Sequence, residues 1–380
     1  IYFKRFYNQF INDMKKKICF VIDTFDFFLT HRLDLCNELS KKYSVSVITD
    51  TTDSEISGQS LAPKINFIHL SKRSGVFSYI RYFFELKKII YKLKPSVTFF
   101  ISVEISFTGS LLKIFSRNYF SAYLCFTGMG HNNGNTIRSK FFFHLKEIIF
   151  RLATRINNVY FIFQNSSHKD FLEIKFSIPK NKSFLIKGNG IKNFKTKLDF
   201  FEKINFCYSG RIEKEKNIEE LIHAFKKVQE NNNFCSELHL YGDYTKNINT
   251  PINKNLFFEL KSYNIFMHGK LDQDQLFKEM SMHSVFVMPS NLEGLSKATL
   301  EAGALGLSII AKDAPGVREA VAHNKNGYIY KNSLPSIMED MIRDKNKTFE
   351  LRKFSLLHIR KNFSLEVIAG QYIKIIERAS

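Results

Sequence analysis

Short apolar runs alternate with amphipathic stretches along almost the whole chain, and this pattern constrains the fold more than any other feature. "KICFVI", "SVSVIT", "INFIHL", "SVTFFI", "SAYLCF" and "VYFIF" each read as a buried strand followed by a helical pattern. The rhythm resumes in "INFCYS", "ELHLYG", "NIFMHG", "SVFVMP", "LSIIA" and "GYIY". Strands that are apolar on both faces and alternate with helices imply parallel sheets covered on both sides. Two such series imply two doubly wound α/β domains, and 380 residues is a length that holds two. The expected division is an N-terminal domain over 14–195, a second domain over 200–360, and a last helix over 361–380 that packs back on the first. The polar, basic "KNFKTKLDFFEK" is the expected link. Residues 1–13 read as extraneous, because "MKKKICFVID" from Met14 runs straight into the first strand. Ligands of open α/β sheets bind beyond the carboxyl ends of the strands, so a cleft between two facing domains is the expected site.

The charge is unevenly divided. Residues 1–200 carry 31 basic and 14 acidic side chains, whereas 201–380 carry 25 and 22. A charge confined to one half suits an anionic surface or substrate. In "SYIRYFFELKKIIYKLK", helical spacing puts Arg81, Glu85, Lys88 and Lys92 on one face and Tyr79, Tyr82, Phe83, Leu86, Ile89, Ile90 and Leu93 on the other. The flank between them mixes Lys87 and Lys94 with Ile80, Phe84 and Tyr91, as a membrane-interface helix would. "RSKFFFHLKEIIFRLATR" is a similar mixture; a core-facing helix with a solvated basic side is the plainer reading of either. Nucleic acid is not an expected partner, since there is no zinc-finger or RNP-like signature. None of the five cysteines has metal-site spacing, which points to reduced thiols and no metal cluster. No apolar run approaches the ~20 residues that span a bilayer.

Two stretches carry chemistry. In "FCYSGRIEKEKNIEELIHAF", Gly210 permits a tight exit from the strand, and Arg211 and Lys216 together suit a diphosphate. The alternative is a surface turn on which they pair with Glu213 and Glu215. In "SNLEGLSKATLEAGALG", a helix starting near Ser296 leaves Glu293 in the loop at its mouth and Glu301 about two turns along. Two acceptor-only carboxylates there suit a ligand rich in hydroxyls; the alternative is a capping carboxylate plus a surface glutamate. Ala302, Gly303 and Ala304 would let this helix approach a strand closely.

After "SGRIEKEK" come "LHLYGDY", "NIFMHGKL", "VFVMPSNLEGLSKATLEAGALG" and "AKDAPGVREAV". This ordered set, spanning Ile204 to Tyr330, resembles the retaining glycosyltransferases of the GT-B fold, family 4, and its wording is most similar to bacterial surface-polysaccharide transferases. "FFLTHRLDLCNELSKKYSVSVIT", "FTGMG", "FIFQNSSHKDFL" and "IKGNGIKNF" extend the resemblance over the first half. It implies that Glu293 lies near the donor sugar, that Glu301 binds the nucleotide ribose, and that Arg211 and Lys216 stabilise the departing diphosphate. Gly210, Gly294, Leu295 and Ser296 would complete the phosphate end, with the helix N-terminus offering its N–H groups. Gly269 and Lys270 would contact the base through their backbone. On the acceptor side stand His31, Thr127, Gly128 and His131.

Two departures stand out. Thr127 occupies a position where many members carry histidine, with His131 the nearest substitute, and "GDY" lacks a further glycine, so Tyr244 would crowd or stack on the nucleotide. No Asp-x-Asp ends a strand, so neither a metal nor any other cofactor is expected. The implied activity is transfer of a sugar from a nucleotide-sugar, UDP-linked (UDP-GalNAc, UDP-Gal or UDP-Glc), to a lipid-linked saccharide of O-antigen, lipopolysaccharide or capsule synthesis. The implied place is the anionic inner face of the cytoplasmic membrane. A nucleotide-sugar epimerase of the same fold and a non-enzymatic binding protein on an inactive scaffold are the competing readings.

Overall fold

A computed structural model describes residues 15–50, 64–70, 76–116, 120–128, 137–232, 234–244 and 260–378. The expected extraneous segment 1–13 lies outside them. The chain divides into two compact units, 1–190 with 365–380, and 191–364. The first division thus falls at Gly190, and the chain returns at Leu365.

The first unit runs β1 (Lys17–Val21), α1 (Phe25–His31), α2 (Leu33–Ser40), β2 (Ser44–Thr49), β3 (Ile65–His69), α3 (Val76–Leu93), β4 (Val97–Ile101), α4 (Val103–Phe115), β5 (Ser121–Phe126), α5 (Ile137–Thr154), β6 (Val159–Phe163), α6 (Ser166–Phe176) and β7 (Ser183–Leu185). Its seven strands pair in parallel in the order β3-β2-β1-β4-β5-β6-β7. Alternate strand residues feed two cores. Phe20, Phe99 and Tyr123 stack across neighbouring strands at 4.7 and 5.2 Å on one face. Cys19, Phe100, Leu124 and Phe161 point to the other, where Tyr82, Leu86 and Ile90 of α3 and Phe150 of α5 cover them.

The second unit runs β8 (Phe206–Ser209), α7 (Ile218–Asn232), β9 (Leu238–Tyr241), β10 (Ile265–Gly269), α8 (Gln273–Ser281), β11 (Val285–Met288), α9 (Lys297–Ala304), β12 (Ser308–Lys312), β13 (Gly327–Tyr330), α10 (Leu334–Arg343) and α11 (Lys345–Phe363). Its six strands are parallel in the order β10-β9-β8-β11-β12-β13. The last helix, α12 (Leu365–Arg378), joins the first unit. It is tied there by Tyr123 donating to the Ile375 carbonyl at 2.7 Å and by buried Arg32 donating to the Tyr372 hydroxyl at 3.0 Å. In both sheets the strand order reverses once, between β1 and β4 and between β8 and β11, and such reversals are where open α/β sheets take ligands.

Four of the five cysteines are buried, and burial pushes the Cys36 and Cys125 thiols up to about 12. They are inert packing groups. Among the described residues no group of His, Cys, Asp or Glu is placed to hold a metal ion. No described helix is long and apolar enough to cross a membrane.

A column of rings lies on one face of the second sheet. The rings of His239 and His283 lie 4.4 Å apart at a tilt of 36°, and the Tyr241 hydroxyl meets His283 Nε2 at 2.8 Å. Burial, with His239 and His268 adding to it, lowers His283 from 6.5 to about 3. The unfolded chain therefore binds this proton before the folded one does. Stability should be unaffected by His283 above pH ~6.5 and should fall with pH below that, by at most about 1.4 kcal/mol per pH unit. Denaturant melts of His283→Gln are expected to show a shallower acid slope than wild type.

Candidate active site

The expected donor residues gather around the reversal in the second sheet. Gly210, Arg211 and Lys216 follow β8, while Glu293 to Ser296 follow its new neighbour β11. Lys216 ends a single 3-10 turn, Lys214–Lys216. Asn217 then adopts a left-handed conformation, φ 56°, before α7 begins. The Asn217 amide donates to the Pro289 carbonyl at 3.3 Å and also to Glu220, which accepts from Lys312 Nζ at 2.6 Å. The turn bearing Lys216 is thereby fastened to the ends of both β11 and β12. Its ammonium reaches Glu293 Oε1 at 2.6 Å, and both side chains are largely shielded.

Arg211 behaves differently. Its guanidinium is 63% exposed and pairs with the buried carboxylate of Glu213 at 3.0 Å. This is half of the surface-turn alternative: Arg211 does meet Glu213, but Lys216 reaches across to Glu293 rather than to Glu215. Tyr208 supports the same turn by donating to the Arg211 carbonyl at 3.0 Å, and burial, with Glu293 next in effect, pushes its hydroxyl above the usual range.

Glycines let three adjacent strand ends close on one another. Gly242 has φ +142°, and a Cβ there would fall 2.8 Å from the Gly210 carbonyl carbon. Its N–H donates to the Gly269 carbonyl at 2.8 Å, and Ile212 N–H donates to the Asp243 carbonyl at 2.9 Å. Asp243 Oδ1 in turn accepts from the Lys270 N–H at 3.2 Å, which occupies one of the backbone donors expected to face a base. Tyr244 is bridged to Ile212 and packs against the core, so its expected crowding of a nucleotide is opposed by inward packing.

Ser296 caps α9, accepting from Thr299 N–H at 3.3 Å and from its hydroxyl at 2.7 Å. Glu301 lies about one turn beyond Lys297, the first helical residue, and not two turns along as expected: even from the Ser296 cap, five residues make only about 1.4 turns. It pairs with Lys297 at 3.1 Å and accepts from Gln273 at 3.4 Å. Leu295 packs on a small cluster with Leu300 and Ile359. Gly303 serves helix packing more than strand packing: a Cβ there would lie 2.6 Å from Ile359 of α11 and 3.3 Å from Ile309 of β12.

The loop after β12, carried in "AKDAPGVREAV", straps the site. Glu293 N–H donates to the Pro315 carbonyl at 3.0 Å, and Ser296 N–H to the Gly316 carbonyl at 3.2 Å. Gly316 has φ +74° and lies against the backbone of Glu293 and Gly294. The Pro-Gly pair after a buried strand was the available signal for a tight turn at this point. Asn217, Glu220 and Gln273 carried no signal, because Pro289, Lys312 and Glu301, which they meet, lie far along the chain.

In the first unit, His31 bonds Thr30 at 2.6 Å and stacks on Phe27 at 4.4 Å, a local arrangement that leaves its expected acceptor role without geometric support. Thr127 and Gly128 follow β5 directly, and a Cβ at Gly128 would meet no atom of the described residues within 4 Å. His131 lies outside the described residues.

Comparison with known proteins identifies this arrangement. The model of the glycosyl transferases group 1 family matches residues 191–352, and the glycosyl transferase 4-like model matches 17–165. The chain belongs to the family 4 glycosyltransferases of the GT-B fold. An uncharacterised glycosyltransferase of Methanocaldococcus jannaschii is 24% identical over 316 residues, 78% of each chain. A capsular polysaccharide biosynthesis glycosyltransferase of Staphylococcus aureus, CapM, is 24% identical over 165 residues, 42% of each. Among solved structures, Anabaena HepE in complex with UDP superposes with a TM-score of 0.71 at 15% identity, covering 95% of this chain and 100% of that one. The GT-B fold expected from the sequence is therefore the fold of this glycosyltransferase, and the epimerase and binding-protein readings give way to glycosyl transfer.

Proposed function

We propose that this glycosyltransferase moves a hexose from a UDP-linked donor to a lipid-linked saccharide, with retention at the anomeric carbon and no metal ion. Its pathway is O-antigen or capsule assembly, at the inner face of the cytoplasmic membrane. The observation that carries the donor half of this reading is the meeting of Lys216 and Glu293 just ahead of the capped helix α9. A carboxylate and an ammonium held together, next to the N-terminal end of a helix, match the two ends of a sugar diphosphate. Glu293 accepts from sugar hydroxyls, and Glu301 grips the ribose diol. Lys216 and Arg211 flank the diphosphate; as its bond to the anomeric carbon breaks, the acceptor oxygen bonds that carbon on the same face and the acceptor's hydroxyl proton passes to the departing diphosphate. The charge gathering on the leaving group is met by these cations, the role a divalent ion plays elsewhere. The UDP bound by the structurally similar HepE supports a UDP donor, and the capsular role named for CapM supports a surface polysaccharide as the product.

Thermal shifts with UDP and GDP, read in EDTA on wild type and Arg211→Ala, test the donor reading. At ~100 times its dissociation constant a ligand stabilises by about 2.7 kcal/mol. The expected result is a UDP-selective shift that survives EDTA and shrinks in the variant. A GDP preference, or dependence on added metal, would overturn the corresponding part.

A further inference from the structure

The helices α3, α4, α5 and α6 all pack on the same face of the seven-stranded sheet, burying Tyr82, Leu86 and Ile90 of α3 beneath them. The opposite side of α3 is the unusual one. Ile80, Phe84 and Tyr91 are exposed, the last two at 61% and 68%, and helical spacing sets them in one ridge with Lys87. Phe115, at the end of α4, is 67% exposed and is joined to this ridge through Phe83, whose ring meets those of Phe84 and Phe115 at 5.5 and 6.3 Å. Beside the ridge stand Arg81, Lys88 and Lys92, all exposed, while the one acidic residue of α3, Glu85, is turned partly inward. A scatter of lone exposed apolar residues needs no explanation, but an aromatic ridge flanked on α3 by Arg81, Lys87, Lys88 and Lys92, against the single carboxylate Glu85, does.

We propose that this ridge, Ile80, Phe84, Tyr91 and Phe115 with Arg81, Lys87, Lys88 and Lys92 around it, is the surface that docks the protein on an anionic lipid bilayer. The inference rests on the lipid-linked acceptor reading and names the face that reading requires. Charge complementarity selects lipid over another occupant. A second copy would set these cations against each other, whereas an anionic headgroup layer accepts all of them at once. The 18-residue helix lies along the surface rather than through it. Its rings enter the headgroup boundary, and the lysine stems reach up beside them to the phosphates. Each basic residue near such a surface contributes roughly fivefold in vesicle affinity, an effect that salt screens.

The chain contains no tryptophan, so one introduced ring reports on a single place. Phe84→Trp is compared with Leu357→Trp, at an exposed position on α11 in the second unit. Vesicles are phosphatidylcholine with or without phosphatidylglycerol, and some carry nitroxide-labelled acyl chains. With phosphatidylglycerol at low salt, both variants should float with the vesicles, but only Phe84→Trp should show blue-shifted, nitroxide-quenched emission. The double change Lys87→Glu and Lys88→Glu should lower vesicle affinity by more than tenfold while leaving the UDP thermal shift unchanged. If both variants float and the Phe84→Trp emission is unmoved, the bilayer is met elsewhere and the proposal is overturned while the membrane reading stands. Failure of wild type to float at low salt overturns both. A dimer that Phe84→Trp dissociates would make the ridge a contact between copies, and this too overturns it.

Discussion

Lys216→Ala is expected to lower kcat by about 10²–10³, the range found when one preorganised stabiliser of developing charge is removed. The expectation follows from where Lys216 sits. Its ammonium is held 2.6 Å from Glu293, and the turn that carries it is fastened by Asn217 and Glu220 to two neighbouring strand ends. A charge fixed in advance of the reaction needs no reorganisation as the diphosphate departs. The effect should therefore fall on kcat more than on KM. Glu293→Ala should be comparably damaging, since it leaves the same half-shielded ammonium without its carboxylate. The double variant should then cost less than the sum of the two, with a coupling in the range of about 0.5–3 kcal/mol. Steady-state kinetics with a cognate donor, on all three variants, would decide it. A kcat within about tenfold of wild type, or 1.4 kcal/mol, would remove Lys216 from the catalytic role. Strict additivity would say that the pair does not act together.

The parts of the molecule legible in the sequence were those written in local pattern. Continuous apolar strands announced two parallel sheets, and the Ser296 cap lies where its motif placed a helix start. The short strand β7 escaped notice because three residues, "SFL", leave no periodicity to read. The pairing of Lys216 with Glu293 spans 77 residues and depends on β8 lying beside β11. Spacing along the chain cannot contain that; topology does. Arg211 shows the converse. Its neighbour Glu213 is two residues away, so the local alternative was visible and is the contact the structure makes. Exposure on α3 was also beyond the pattern. The wheel placed Ile80, Phe84 and Tyr91 on a mixed flank, and only packing against the sheet decided that this flank faces outward.

Gly316→Ala is expected to destabilise the protein by about 2–4 kcal/mol and to abolish most activity in whatever remains folded. Two costs combine. A left-handed backbone costs an alanine about 1–2 kcal/mol even where there is space. At Gly316, φ +74°, there is none: a Cβ would press on the Glu293 carbonyl oxygen and lie 2.6 Å from the Gly294 oxygen, both backbone atoms. The strain cannot be relieved by turning a side chain. It must open the strap formed by Glu293 N–H to Pro315 and Ser296 N–H to Gly316, which carries both the sugar-side carboxylate and the cap of α9. Stability and donor binding should thus fail together, unlike in an ordinary core substitution. Gly128→Ala is the control, since among the described residues a Cβ there meets no atom within 4 Å; its melting temperature should match wild type. Thermal melts of both variants with and without UDP check the argument. A Gly316→Ala protein that melts like wild type and keeps the UDP shift would mean that the strap yields without cost, and that Glu293 is positioned by Lys216 alone.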